Sequence, residues 1–223
     1  MLYDPAKDNH GLPYNPFKSC VVPRPIAWIS TRSLDGVDNL APFSQFQNLT
    51  FDPPFVMIAC NQYSRRMRKN TTVNIEQTGE FVYNMVTYDL REAMNRSSEE
   101  APPEVDEFEL AGVTKAPSSK VRPWRVAESP IQVECIYHQT IRLPGIGERG
   151  TVDIIFGKVV MVHIRDDIIL PNGKIDILKI RPLARLGYYD YTSIESVFEM
   201  IMPANDKDTL YGLAGASVIA SRK

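Results

Sequence analysis

The sequence has few of the residues that build metal sites and disulfides. It contains three histidines and three cysteines in 223 residues, and their separations along the chain match no zinc-binding motif. Three cysteines (Cys20, Cys60 and Cys135) cannot all pair within one chain, and free thiols are typical of the reducing cytoplasm. We therefore expect reduced thiols, no metal site and a cytoplasmic protein.

Long hydrophobic runs and a strong net charge are also absent. No apolar run approaches the roughly 20 residues of a membrane span, and residues 1–9 are polar and lack the pattern of a secretory signal. Lysine plus arginine number 25 against 27 aspartates plus glutamates, so the net charge is −2. Such a chain lacks the broad positive field that non-specific nucleic-acid binding requires. The sequence predicts neither a membrane nor a nucleic-acid partner.

The common catalytic motifs are missing as well. The sequence contains no nucleophile elbow, no phosphate-binding Walker loop and no glycine triplet that opens a βα unit. It offers no convincing pair of nucleophile and base for a hydrolase. This lack of catalytic motifs favours a protein whose chemistry comes from a bound organic cofactor, while the chain supplies shape and electrostatics. The catalytic residues stay unassigned.

What the chain does have is the composition of a globular, β-rich protein. Apolar residues make up 43% and charged residues 23%, which is enough apolar surface for a core. The length predicts one large domain over 1–223, with an extended, proline-rich arm at the start and a C-terminal tail over 195–223. About six short strand-like segments, separated by turns and short helices, predict an antiparallel barrel decorated by helices.

Turn signals and apolar patterning place the individual segments. Residues 26–32 and 39–46 are predicted to pair as a hairpin across Asp35-Gly36. The apolar run 55–60 predicts a strand that is buried on both faces. The acidic stretch 99–109, which contains two adjacent prolines, is predicted to be a mobile surface segment.

The first candidate site is a cationic stretch that leads into a helix. Four of residues 65–69 are cationic, and a short helix is predicted over 71–78, with Asn70 as its N-cap. A helix N-terminus presents unpaired N–H groups and the positive end of the dipole, so Arg68 and Lys69 beside it would help to hold a phosphate. A solvated basic loop is the alternative interpretation.

The second candidate site is a strand interrupted by proline. Pro42 lies inside the predicted return strand, where it cannot donate to the ladder. Neighbouring backbone groups would then be free for a planar heterocycle, with Asn39 and Ser44 as side-chain donors beside them. The alternative is a plain edge strand with a bulge. The preceding strand ends in two residues with hydroxyl groups, Ser30 and Thr31. They are compatible with a ligand site or with the polar end of an ordinary edge strand.

These segments resemble the flavin reductase-like family of FMN-binding split barrels. The likeness spans about 14–191, in the order and spacing of the family. The residues that carry it are Arg24-Pro25-Ile26-Ala27-Trp28-Ile29-Ser30-Thr31, Asp35-Gly36, Asn39-Leu40-Ala41-Pro42-Phe43-Ser44, Lys69-Asn70-Thr71 and Asn74-Ile75.

The resemblance implies a fold, an assembly and an activity. The fold is a mainly β, six-stranded antiparallel split barrel with short helices, assembled as a homodimer with FMN near the interface. The activity is reduction of FMN by NADH or NADPH, with a monooxygenase or another electron acceptor as partner. The resemblance assigns the flavin ring to Ser30, Thr31, Asn39, Leu40, Ala41, Pro42 and Ser44, and the phosphate to Arg68, Lys69 and Thr71.

One departure from the family pattern keeps other functions open. Many flavin reductases carry Gly-Asp-His where this chain has Gly150-Thr151-Val152, and there the histidine lies near the nicotinamide. An electron carrier with tightly bound FMN, of the flavoredoxin type, is therefore the alternative to a reductase. A split barrel of the pyridoxamine-phosphate oxidase type, which would also bind FMN, ranks third.

Overall fold

The structure is a computed structural model that describes residues 1–7, 9–63, 67–145, 147, 150–200 and 203. Within this part the chain forms twelve strands and four short α-helices. The strands are β1 (Arg24–Pro25), β2 (Ala27–Arg32), β3 (Asp38–Phe43), β4 (Phe46–Phe51), β5 (Pro54–Asn61), β6 (Glu80–Met85), β7 (Lys115–Ala116), β8 (Arg125–Val126), β9 (Ile131–Leu143), β10 (Val152–Ile164), β11 (Leu183–Gly187) and β12 (Asp190–Ser193). The helices are α1 (Asn70–Thr78), α2 (Arg91–Arg96), α3 (Glu107–Ala111) and α4 (Ile177–Ile180).

Seven of these strands form one antiparallel sheet, in the order β3-β2-β6-β9-β10-β5-β4. The two end strands, β3 and β4, follow each other in the chain and are joined by residues 44 and 45. The mainly β fold is confirmed, but the predicted strand count of six is wrong for this sheet. The return segment predicted over 39–46 ends at Phe43, and β4 pairs with β5 as a strand of its own. Smaller sheets pair β1-β11-β12 and β7-β8.

The sheet curves around one hydrophobic core. Side chains of strands from both halves of the sheet pack together there, and Ile75 of α1 joins them. The buried members of this core are Ala27, Ile29, Phe43, Val56, Ile58, Cys60, Ile75, Phe81, Tyr83, Cys135 and Ile155. A second cluster, built around Trp28, Leu40 and Val86, lies on the other face of β2 and is covered by α2 and α3.

The predicted β2–β3 hairpin is confirmed, and its turn has a clear cause. The Ser33 N–H donates to the carbonyl of Val37, and Gly36 has φ +88°. Positive φ at this position favours glycine, which has no Cβ to clash with the backbone. The register places Trp28 opposite Pro42 and Thr31 opposite Asn39. The hairpin therefore fixes which residues of β3 lie beside those of β2.

Two predictions about exposure are wrong. In β5 the burial alternates, because Val56, Ile58 and Cys60 face the core while the residues between them are half-buried. Part of the stretch 99–109 is not a surface loop, since it contains the start of α3. Asp106 caps that helix by accepting from the Phe108 N–H, and Phe108 packs into the second cluster with Trp28. No helix among the described residues is long and apolar enough to cross a membrane.

Gly157 in β10 leaves room for the ring of Phe81, which lies on β6. Gly157 lies at a register shift between β9 and β10, where a bulge or irregularity interrupts the pairing. A Cβ added at this position would lie 2.2 Å from the ring of Phe81, which is fully buried. Only a residue without a side chain fits between the strand and this ring.

We expect Gly157→Ala to destabilise the protein by about 1–3 kcal/mol, because overpacking forces a buried ring out of its place. Urea unfolding of Gly157→Ala, Phe81→Leu and the double variant measures the coupling between the two positions. A smaller side chain at Phe81 relieves the clash, so the double variant should lose less stability than the two single losses combined. Strictly additive losses would contradict this packing.

Candidate functional site

A cleft of about 180 Å³ lies where the edge strand β3, the start of α1 and the chain after α2 meet. It brings together residues that the sequence predicted for the ring and residues predicted for the phosphate. Its lining consists of Asn39, Ala41, Pro42, Tyr63, Lys69, Asn70, Thr71, Ser97, Ser98, Glu99, Glu100 and Glu107. We call this the flavin cleft below, after the ligand that the sequence predicts for it.

Two side-chain hydrogen bonds hold α1 against the β2–β3 hairpin. The amide of Asn39 donates to the hydroxyl of Thr71 at 3.3 Å, and the amide of Asn74 donates to the hydroxyl of Thr31 at 3.0 Å. All four residues are buried. Thr71 and Asn74 lie three positions apart and therefore share one face of the helix. This face fixes the first turn of α1 beside β3.

The start of α1 presents a set of donors to the cleft. The N-cap is Lys69 rather than the predicted Asn70, and its side chain makes no capping bond. The helical ladder begins with the Val73 N–H donating to the Lys69 carbonyl, so the N–H groups of Asn70, Thr71 and Thr72 have no partner within the helix. These groups and the positive end of the dipole favour an anion.

Lys69 adds a positive charge to this helix start. Its ammonium lies 5.3 Å from the ring centroid of Tyr63 and 5.8 Å from that of Phe43. No carboxylate oxygen of the described residues lies within 4.0 Å of it. Its backbone N–H donates to the side chain of Gln62 at 2.7 Å, which ties Lys69 to the residue that follows β5. An ammonium, N–H groups and the hydroxyl of Thr71 form a donor set that suits a phosphate.

Arg68 is the main departure from the predicted phosphate group. Its guanidinium bonds both oxygens of Glu76, at 2.6 and 2.7 Å, and one oxygen of Asp153, at 2.8 and 2.9 Å. Arg142 bonds the same fully buried aspartate. Burial opposes ionisation of Asp153, but the bonds from Arg142 and Arg68 outweigh it and lower its pKa. Arg68 is thus bound to two carboxylates and is absent from the lining of the cleft.

Other predicted residues also lie outside the cleft. Ser30 is buried, donates to the carbonyl of Trp124 at 2.5 Å and accepts from the amide of Asn84. Leu40 packs its side chain into the second cluster. The structure therefore brings Asn39, Ala41, Pro42, Lys69 and Thr71 together in the cleft, and leaves Ser30, Thr31, Leu40, Ser44 and Arg68 out of its lining. The cationic residues Arg65 and Arg66 lie outside the described residues.

The edge of β3 offers fewer free donors than the sequence predicts. The Leu40 N–H points out of the sheet and donates to the carboxyl of Glu107 at 2.6 Å. Because backbone groups alternate along an antiparallel strand, Pro42 faces the same way and Asn39 and Ala41 face β2. Because the backbone nitrogen of Pro42 points away from β2, this proline removes no hydrogen bond between β3 and β2. Among residues 39–42, the N–H that points out of the sheet is that of Leu40, and it already donates to the carboxyl of Glu107.

Glu107 is the cleft residue that the sequence analysis missed. It is 8% exposed, and burial raises its pKa to about 7, although the Leu40 N–H and the nearby Lys69 lower it. The acidic composition and two prolines of 99–109 suggested a surface loop. The signal against that interpretation was Asp106 two residues before Phe108, which is the pattern of an N-cap and a core residue.

The raised pKa of Glu107 makes stability depend on pH in a definite direction. The folded protein retains this proton between the ordinary pKa of 4.5 and about 7. The stabilisation is complete below pH 4.5 and is lost as the pH rises through 7. From pH 5 to 8, Glu107→Gln should lose about 2 kcal/mol less free energy of unfolding than the native protein.

Urea unfolding at both pH values measures this difference. Glu109→Gln, which removes an exposed carboxyl from the same helix, is the matched control and should follow the native protein. Identical pH dependence in Glu107→Gln and the native protein would rule out the raised pKa.

Comparison with known proteins finds relatives over most of the chain. Residues 19–189 match the family model described as a flavin reductase like domain. An uncharacterized protein of Aquifex aeolicus is 39% identical over 171 residues, which cover 76% of this chain and 84% of that protein. The range matched by the family model lies within the span 14–191 over which the motifs resemble this family.

Solved structures share the fold. Nitrilotriacetate monooxygenase component B from Bacillus cereus is 27% identical, with a TM-score of 0.82 over 90% of this chain and 98% of that one. Flavoredoxin of Desulfovibrio vulgaris is 17% identical, with a TM-score of 0.69 over 83% of this chain and 94% of that one. The antiparallel sheet described above is therefore that of the split-barrel flavoproteins, with β3 and β4 at its two ends.

Proposed function

This chain belongs to the flavin reductase-like domain family, and on that premise we propose that it is an oxidoreductase that binds FMN and reduces it with NADH or NADPH. The observation that carries the proposal is the flavin cleft, where Lys69, Thr71 and the open start of α1 meet the edge of β3. This donor set fits the phosphate of FMN. Asn39, Ala41 and Pro42 border the same space and would lie along the flavin.

The proposed assembly is a homodimer with FMN near the interface. A cleft of about 180 Å³ is smaller than the roughly 300–1,000 Å³ of ordinary cofactor sites, so one chain would supply only part of the site. Apolar side chains on β9 and β10 are also exposed, which favours burial against a second copy. These residues are Ile136, Ile141, Leu143, Val162 and Ile164.

In this proposal the chain contributes position and charge. A bound flavin supplies the capacity to accept a hydride from a reduced nicotinamide, which depends on alignment of the two rings. Lys69 and the first turn of α1 would anchor the phosphate and so fix where the ring lies. A ligand carbonyl that approaches the edge of β3 would replace the Glu107 carboxyl as the acceptor of the Leu40 N–H. The ionised form of Glu107 adds a negative charge there, so anionic ligands should bind more weakly above pH 7.

The alternative is an electron carrier that holds FMN tightly and has no nicotinamide site. Thr151, in the stretch that departs from the Gly-Asp-His pattern, is buried, and its carbonyl accepts the Gln62 N–H at 3.0 Å. The side chain of Gln62 in turn accepts the Lys69 N–H, so Thr151 supports the position of Lys69 through Gln62. The fold shared with flavoredoxin agrees with this alternative. An oxidase of the pyridoxamine-phosphate type stays third.

The proposed partner is a monooxygenase or another protein that accepts electrons. The Bacillus cereus protein of the same fold is component B of a monooxygenase, which supports a role as the reducing component of a pair. The three cysteines are free thiols, and Cys60 and Cys135 are buried, which fits a reducing compartment such as the cytoplasm.

Lys69→Ala should weaken FMN binding by about 1–3 kcal/mol, the scale of one charge-assisted hydrogen bond. Flavin fluorescence titration or calorimetry measures the dissociation constant. Lys174→Ala, at an exposed turn far along the chain from the cleft residues, is the matched control. An unchanged affinity in Lys69→Ala would remove this residue from the phosphate site.

Absorption at 340 nm separates the two functions. A reductase should oxidise NADH or NADPH in proportion to added FMN, and the flavin absorbance near 450 nm should fall under anaerobic conditions. Tight retention of FMN through dialysis, with no faster oxidation of either nicotinamide, would instead identify the carrier. Failure to bind FMN at all, in the dimeric protein, would overturn both.

A further inference from the structure

A second cavity is lined by residues of α2, β11 and β12. Its volume is about 420 Å³, which is within the range of small-molecule sites. We call it the arginine–tyrosine pocket, defined by Tyr88, Arg91 and Met94 on one side and Leu183, Arg185 and Tyr191 on the other. None of these residues was assigned to FMN, so the inference below does not rest on the proposed function.

The pocket has an apolar floor. Met94 is 2% exposed and Leu183 is 5% exposed, and both belong to the second hydrophobic cluster. The floor is therefore built into the core and does not depend on surface side chains. A ligand ring placed on it would lose contact with water on that face.

The walls carry two cations, each held against an aromatic ring. The guanidinium of Arg91 lies 4.0 Å from the ring centroid of Tyr88, and that of Arg185 lies 4.5 Å from the ring centroid of Tyr191. Arg185 also donates to the hydroxyl of Tyr191. Arg181 lies 4.2 Å from the ring centroid of Tyr88 and restrains that ring further. These stacks orient the planar groups that line the pocket.

The charge of the pocket is not balanced by the protein. Among the described residues no carboxylate oxygen lies within 4.0 Å of Arg185. Arg91 has Glu92 at 3.5 Å, but both side chains are exposed, and such surface pairs contribute little. Arg91 otherwise donates to the carbonyl of Tyr88 at 2.8 Å. Glu92 also lines the cavity, so two arginines face one carboxylate there and the charged side chains of the lining sum to a positive charge.

We infer that the arginine–tyrosine pocket binds a planar aromatic ligand that carries a carboxylate or a phosphate. Guanidinium groups bind both anions through paired hydrogen bonds, and they also stack on aromatic planes. The apolar floor and the tyrosine rings accept the ring of the same ligand. Free aromatic acids and the adenine nucleotide end of a nicotinamide cofactor share this chemistry.

The pocket and the flavin cleft are joined through α2. The helix ends at Arg96, and the next residue, Ser97, lines the flavin cleft. Ser97 accepts a hydrogen bond from the indole of Trp28 at 2.8 Å, within the second cluster on which the pocket floor also rests. The pocket is therefore lined by a helix whose C-terminal neighbour lines the cleft.

Calorimetric titration tests the inference with the full-length protein and four probes. Benzoate and adenosine 2′,5′-bisphosphate carry a ring and an anion, while cyclohexanecarboxylate lacks the planar ring and phenol lacks the charge. At least one of the first two should bind, and the other two should bind at least tenfold more weakly. Which of the first two binds distinguishes a free aromatic acid from a nucleotide.

Arg185→Gln and Arg91→Gln locate the binding. Each should weaken it at least tenfold, while Arg165→Gln, an exposed arginine paired with Asp167, should leave it unchanged. Arg91 is on the surface of a helix, so its variant keeps the test valid even if Arg185→Gln fails to fold, and circular dichroism checks both. No binding of either aromatic anion, or equal binding in Arg91→Gln, overturns the inference. FMN titration of the same variants reports on the flavin cleft separately.

Discussion

The site depends on the attachment of one short helix to one hairpin. Asn39 and Thr31 of the hairpin bond Thr71 and Asn74 of α1, and all four are buried. Such bonds are costly to leave unmade in the interior, so the helix start has one favourable position. That position places the first turn of α1, whose first N–H groups have no partner within the helix, beside an edge strand. The cleft between them exists because the helix cannot move away without exposing these buried polar groups.

The two neighbouring cations Arg68 and Lys69 have different partners. Arg68 and Arg142 neutralise Asp153, which is fully buried, and Arg68 also holds Glu76. An unpaired buried carboxylate would be strongly unfavourable, so these arginines are committed to the fold. Lys69, the next residue, stays directed to the cleft. Neighbouring cations in one motif thus have different surroundings: Arg68 is bound to carboxylates of the fold, whereas Lys69 lines the cleft, where we propose that it binds phosphate.

The second hydrophobic cluster packs beneath both cavities. It contains Trp28 and Leu40, it supports α2 and α3, and it forms the floor of the arginine–tyrosine pocket. Leu40 presents its side chain to this cluster and its N–H to Glu107 in the cleft. One strand therefore borders the flavin cleft and helps to build the core beneath both cavities.

The sequence by itself determined the β2–β3 hairpin, the helix after Lys69 and the family, because turn glycines and ordered motifs act over a few residues. It also identified Asn39, Lys69 and Thr71, which the structure brings into one cleft. Only the tertiary structure decided that Arg68 pairs with Asp153, 85 positions away, and that Glu107 reaches Leu40 across 67. Such long-range partners leave no local pattern, since they are chosen by how the strands pack.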